Sequence, residues 1–192
     1  VKLLGGKSDE QIAVIAKAGD RAAFEELVRR HKMPIYRFVR RYIGQSDDAY
    51  DVLQECFVAA WSGLARFDAS RSFLPWLRVI ALNKCRDFAR RQKVRRLVLK
   101  AFALEVASDR LEGSENSSDP RQAEDQRLGR LDEAISRLSP FYKEPLLLTT
   151  VSGLSHQEAA ALLKTTPKAI EMRLYRARKQ LLTELEPHSP EG

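Results

Sequence analysis

Along almost the whole chain the apolar residues recur at three- and four-residue intervals, the spacing that lays one stripe along an α-helix. This predicts a helix over roughly 9–18, a second over 20–31 with Ala23, Phe24, Leu27 and Val28 inward, and a third near 34–43 carrying Ile35, Phe38, Val39 and Tyr42. A fourth begins near Ser46. Between 49 and 64, Ala49, Val52, Leu53, Cys56, Phe57, Ala60 and Leu64 form its core stripe and leave Asp51, Gln54, Glu55 and Val58 on the opposite side. After the polar turn Asp68 to Ser72, a long helix is expected from about 73 to 92, where Pro75 is tolerable in the first turn. Its Leu77, Ile80, Ala81 and Phe88 can pack inward, while Trp76, Asn83, Asp87 and Arg90 follow one another along another side.

In the C-terminal half, Leu128, Leu131, Ile135 and Leu138 form a stripe that stops at Ser139-Pro140, an N-cap followed by proline at the first helical position. Pro145 is expected to kink the segment that follows. Ser155 and Glu158 have the capping-box spacing and open a short helix to Leu163; Lys164-Thr165 forms the turn, and Thr166 caps a second helix with Pro167 at its first position. That last helix runs to about 185, burying Ile170, Leu174, Ala177 and Leu181 and exposing Lys168, Glu171, Met172, Tyr175, Arg176 and Lys179. Short helix, tight turn, longer basic helix is the helix-turn-helix pattern, with a helical hairpin bearing a solvated basic face as the alternative.

Charge sharpens the division into two. The chain has 192 residues and a formal net charge of +7. Residues 84–100 alone carry a net +7 and residues 164–179 a net +5, whereas 101–127 carry a net −4. Within the acidic stretch, Glu112 to Pro120 is polar, turn-rich and without an apolar period, so it reads as a linker that cannot offset the cost of ordering. The expected fold is therefore all-α, two small helical domains joined by a flexible acidic linker, the second a helix-turn-helix. The divisions are 1–96, the linker 97–124, the second domain 125–186 and a tail 187–192.

Composition removes several function classes. No apolar run approaches the ~18–20 residues of a membrane span, so direct membrane insertion is not expected and a soluble, cytoplasmic protein is. Cys56 and Cys85 lie inside helical apolar patterns, and His31, His156 and His188 are scattered, which argues against a disulfide scaffold, a metal site or a bound cofactor. With no nucleophile–base pair and no glycine-rich phosphate loop, an enzyme is the least favoured class.

Two basic faces point instead to nucleic acid. In a helix-turn-helix the second helix enters the major groove, so Thr166, Lys168, Glu171, Met172, Arg173, Arg176 and Lys179 are the candidate duplex-contacting residues. Glu171 can accept from cytosine N4, and the cations can engage guanine or phosphate. The first basic cluster follows an aromatic residue and an amide, a combination suited to unpaired strands, because rings stack on bases while cations follow the backbone. A charge run is more often a solvated face, and a lone tryptophan more often core, so this signal needs company.

The company is a family resemblance. The run Asp47 to Trp61 (DDAYDVLQECFVAAW), the run Phe73 to Lys84 (FLPWLRVIALNK), Gly153 to Ala160 (GLSHQEAA) and Arg173 to Leu181 (RLYRARKQL) together resemble an extracytoplasmic-function, or group IV, bacterial RNA polymerase sigma factor. The match covers about residues 9–93 and 125–183 in the family's order. It implies a two-domain initiation factor that brings RNA polymerase core to promoter DNA and opens the −10 region. By that resemblance, Asp51, Gln54, Glu55 and Val58 would meet core polymerase, an acidic patch facing a cationic helix. The loop with Phe67, Asp68, Ser70 and Arg71 would hold a flipped −10 base, and Trp76, Asn83, Lys84, Asp87, Arg90 and Arg91 would contact the −10 strands. The second domain would read the −35 element as duplex. The resemblance also implies an anti-sigma factor, often membrane-anchored, that occludes these surfaces.

Three features depart from the family's pattern: Val79 stands where many members have a basic residue, Pro145 is atypical, and Lys164-Thr165 replaces the usual glycine of the turn. One of those two turn residues is therefore expected in a left-handed conformation. Two other readings remain: a stand-alone helix-turn-helix regulator, and a sigma-like decoy for an anti-sigma factor.

Overall fold

The computed structural model describes the backbone of residues 4–102 and 120–185 and the side chains of 4–97 and 129–185. The turn-rich stretch 112–119 and the tail 187–192 lie outside the described residues. Among those described there are helices and turns but no strand. Two helices bracket the N-terminal bundle, α1 (Asp9–Lys17) and α4 (Phe73–Phe102), around α2 (Arg21–Ile43) and α3 (Ser46–Gly63). A 3-10 turn, Leu64–Arg66, ends α3. The C-terminal half consists of α5 (Pro120–Arg137), α6 (Pro140–Leu146), a π-type turn Leu147–Val151, α7 (His156–Leu162) and α8 (Pro167–Leu185).

Several helix starts follow from their caps. Ser8 and Gln11 form a reciprocal capping box on α1, and the Asp20 carboxylate accepts from the Ala23 N–H at 3.1 Å to open α2. Ser155 and Glu158 do the same for α7, as their spacing predicts. At Ser139 no side-chain cap forms, and Pro140 supplies the fixed φ of the first turn instead.

Three boundaries differ from the sequence reading. The helices expected at 20–31 and 34–43 are one, α2, with Pro34 inside it. The proline removes one ladder bond, but Leu27, His31, Ile35, Phe38 and Tyr42 continue a single buried stripe across it, and burying that stripe outweighs the loss. Likewise α4 continues past 92 to Phe102 and α5 starts at Pro120, so both ends of the expected 97–124 linker, 97–102 and 120–124, are helical. At Pro145 the expected kink appears as a change of winding, with α6 giving way to the π-type turn.

The two halves pack together. Arg41 on α2 meets Asp132 on α5 at 2.9 Å, and α6 presents two buried charged side chains, Lys143 and Glu144, to α2 and α4. Glu144 takes both nitrogens of Arg86, Nε at 2.8 Å and Nη2 at 2.6 Å, and accepts from the Tyr42 hydroxyl at 3.2 Å. Lys143 Nζ donates to the Tyr42 carbonyl at 3.0 Å and to the Ser136 carbonyl. Burial pushes the Lys143 amine down to about 8, and burial together with the Glu144 charge pushes the Tyr42 hydroxyl up. Gly44 closes α2 at φ 95, and a Cβ there would stand 2.5 Å from Ser136 Oγ, so glycine is needed both for the turn and for the approach of α5.

Candidate nucleic-acid and partner interfaces

The outward face of α3 follows from its pattern. Ala49, Val52, Leu53, Cys56, Phe57 and Ala60 are buried, which forces Asp51, Gln54 and Val58 into solvent and leaves Glu55 half-buried. Val58 is 67% exposed. These four residues line a shallow groove of about 640 Å³ with Ala59, Ser62 and Lys84. Lys84 enters it from α4.

The loop between α3 and α4 is built on Asp68. Its Oδ1 accepts from the Ser70 N–H at 3.0 Å and the Ser70 hydroxyl at 2.8 Å, and these bonds hold the carboxyl below its usual range. Arg71 stands at 3.6 Å from the same carboxylate, and Asp68, Ser70 and Arg71 are all exposed. The structure buries Phe67 at 3% exposure, edge-on to Phe73 and tilted against Trp76, so its ring forms the floor beneath the loop. Trp76 is half-buried in the same aromatic cluster and lies over Gly63, where a Cβ would reach 3.4 Å from the indole.

Two residues that the sequence reading missed hold this loop in place. Glu10 on α1 accepts from the Phe73 N–H at 3.0 Å, capping the start of α4, and its carboxyl is held low chiefly by that bond. Lys17 donates to the Phe67 carbonyl at 3.1 Å. Both act across more than 45 positions of sequence, and no local pattern marks them.

Along α4, Asn83, Asp87, Arg90 and Arg91 are exposed and Lys84 is half-buried, but the cations do not stand free. Arg90 pairs with Asp87 at 3.6 Å, Lys84 with Glu55 at 3.4 Å, and Arg91 with Glu55 at 3.1 Å. Arg86 belongs to Glu144, as described above. Every cation from 84 to 91 therefore has a carboxylate partner within the chain.

In the C-terminal half, α7 and α8 form the expected helix-turn-helix. Lys164 has φ 51, so it is the turn residue that takes the left-handed conformation. The Thr166 hydroxyl accepts from the Ala169 N–H at 3.2 Å, opening α8. Lys168, Glu171, Met172, Arg176 and Lys179 are exposed on one side, with Tyr175 at 66% exposure among them. Lys168 and Glu171 pair at 2.9 Å. Arg173 is half-buried: its guanidinium lies 4.0 Å over the Phe141 ring, and Nη2 donates to the Thr165 hydroxyl at 3.4 Å. It braces α8 against α6 and the turn. Its Nε is buried without a partner.

These elements coincide with known families. Residues 27–95 match the Sigma-70 region 2 model and residues 128–181 the Sigma-70 region 4 model. The chain is 37% identical over 175 residues to the RNA polymerase sigma factor NccH of Alcaligenes xylosoxydans xylosoxydans, covering 90% of this chain and 92% of that one. It is 32% identical over 183 residues to the ECF RNA polymerase sigma factor SigE of Mycolicibacterium smegmatis, covering 93% and 69%. Among solved structures, CnrH in complex with the cytosolic domain of CnrY superposes with a TM-score of 0.69 at 32% identity, over 95% of this chain and all of that one. CnrH of Cupriavidus metallidurans is 36% identical over 177 residues, 91% of this chain and 92% of the relative. The chain belongs to the Sigma-70 family as an extracytoplasmic-function RNA polymerase sigma factor.

Proposed function

We propose that this sigma factor works through three surfaces with separate partners. The α3 face of Asp51, Gln54, Glu55 and Val58 takes a cationic helical surface of core polymerase. The loop Asp68, Ser70 and Arg71, with Trp76, Asn83, Lys84, Asp87, Arg90 and Arg91 of α4, receives the −10 strands as they separate. The exposed side of α8, with Lys168, Glu171, Met172, Arg176 and Lys179 and the Thr166 cap, reads the −35 duplex. The observation that carries this reading is the groove that Asp51, Gln54, Glu55 and Val58 line on the outer side of a helix whose core stripe is already complete.

The chain acts as a binding subunit and not as an enzyme, in the cytoplasm where polymerase and promoter DNA are found. Strand opening then relies on trapping: extruding a base costs a few kcal/mol of stacking, which a shaped pocket and phosphate contacts offset. Because CnrH is known in complex with the cytosolic domain of CnrY, an anti-sigma factor is the expected regulator here as well. The acidic linker fits a path through a cationic channel of polymerase.

Run-off transcription with purified core on a promoter library tests the assignment, with Asp51→Arg plus Glu55→Arg expected to abolish co-purification with core. Equal recovery of that double variant would refute the contact face. Arg176→Ala should weaken duplex binding and lower its salt dependence by about one phosphate contact, whereas Arg173→Ala should chiefly lower stability.

A further inference from the structure

Glu55 stands at a junction. Its carboxylate lines the groove on α3 with Asp51, Gln54 and Val58, and the same carboxylate binds two cations of α4. Oε1 is 3.1 Å from Arg91 Nη2, and Oε2 is 3.4 Å from both Arg91 Nη2 and Lys84 Nζ. Lys84 and Arg91 are seven positions apart, two helical turns, so they lie on one side of α4 with the carboxylate between them. None of the three is deeply buried: their side chains are 38%, 30% and 57% exposed for Glu55, Lys84 and Arg91. Ion pairs this well solvated are weak enough for a competing cation to displace.

We propose that Glu55 couples the two surfaces: in the free chain it masks Lys84 and Arg91, and a cationic partner landing on the α3 face draws its carboxylate away and releases both cations to single-stranded DNA. This rests on the reading of α3 as the polymerase-contacting face and names what that contact does. A strand approaching the free chain must displace the Glu55 carboxylate from both cations before its phosphates can pair with them. With a partner's cation already satisfying Glu55, that competition is gone. Polymerase binding and −10 strand capture thus share one charge, and Glu55 is a positioning residue for the DNA cations, not itself a DNA contact.

The test uses the full chain, without polymerase, and a fluorescent oligo-dT as probe. Glu55→Gln removes the mask while keeping the side chain's size. Asp47→Asn is the control, since it removes one exposed negative charge from the same helix two turns earlier. Glu55→Gln is expected to bind oligo-dT about 3–10-fold more tightly than Asp47→Asn near 50 mM salt, with the salt dependence steepened by about 0.7–1.4, one to two released cations. Placing Glu55→Gln on a Lys84→Gln plus Arg91→Gln background should erase the gain. Equal affinity and slope for Glu55→Gln and Asp47→Asn would overturn the masking. Co-purification with core separates the two levels: lost recovery with unchanged oligo-dT binding refutes the coupling and leaves the contact face standing. Full recovery with tighter oligo-dT binding removes the polymerase half of the coupling and counts against the contact face itself.

Discussion

The contact between the two halves can be broken at one carboxylate. Glu144 is 8% exposed and takes three donors, two from Arg86 and one from the Tyr42 hydroxyl. Removing one partner of a buried pair costs about 3–5 kcal/mol when the orphaned charge stays dry. The Arg86 side chain is 38% exposed, so its guanidinium recovers water, and the loss for Glu144→Gln comes down to about 2 kcal/mol. Urea unfolding of the full chain measures this, with Arg86→Gln and the double variant completing a cycle. The pair is expected to show a coupling of about 1–2 kcal/mol. Small-angle scattering should show a larger radius of gyration for Glu144→Gln, because the same bonds hold α6 against α2 and α4. Single losses that add within about 0.5 kcal/mol, with an unchanged radius, would refute the claim that this pair joins the halves.

Phe67→Ala should cost about 3–5 kcal/mol by opening a cavity under Phe73 and Trp76; a loss below about 1 kcal/mol, read from the denaturation midpoint, would mean the ring is not core. Glu26, whose carboxyl the Arg29 and Arg30 guanidiniums hold down to about 2, contributes stability that is present above pH 4.5 and lost as pH falls toward 2. Glu26→Gln should therefore flatten the acid limb of stability across that window, and an unchanged limb would exclude the pair as its cause. Lys164→Gly should relieve the left-handed strain in the helix-turn-helix and raise stability by about 0.5 kcal/mol at unchanged denaturant slope. A lower midpoint would show that the Lys164 side chain contributes more than its backbone costs.

Much of this was legible because it is local. The caps at Ser155 and Thr166, the core stripe of α3 and the exposed side of α8 are set by neighbours within four positions, and the structure has them as the spacing predicts. The sequence suggests a split at Pro34 because a proline signal weighs only the lost bond, whereas the buried stripe from Leu27 to Tyr42 decides the outcome. Long-range partners were not legible at all. Tyr42, Arg86 and Glu144 meet across 58 and 102 positions, and each alone looks like an ordinary residue of its own helix. The same holds for Glu55 with Lys84 and Arg91: the sequence assigns them to different ligands, and only the packing of α3 on α4 puts them on one carboxylate. Arg173 lies on the DNA-facing helix by spacing, yet the nearby Phe141 ring claims it.

The two thiols of the N-terminal bundle carry a final consequence. Cys56 and Cys85 are fully buried and unpaired with each other, and burial pushes the first up to about 12 and the second well above the ordinary thiol range. Peroxides and disulfides react with the deprotonated sulfur, which neither position supplies at neutral pH. The folded bundle therefore offers oxidants no reactive thiol of its own, and the exposed sulfurs of the described residues are the thioethers of Met33 and Met172.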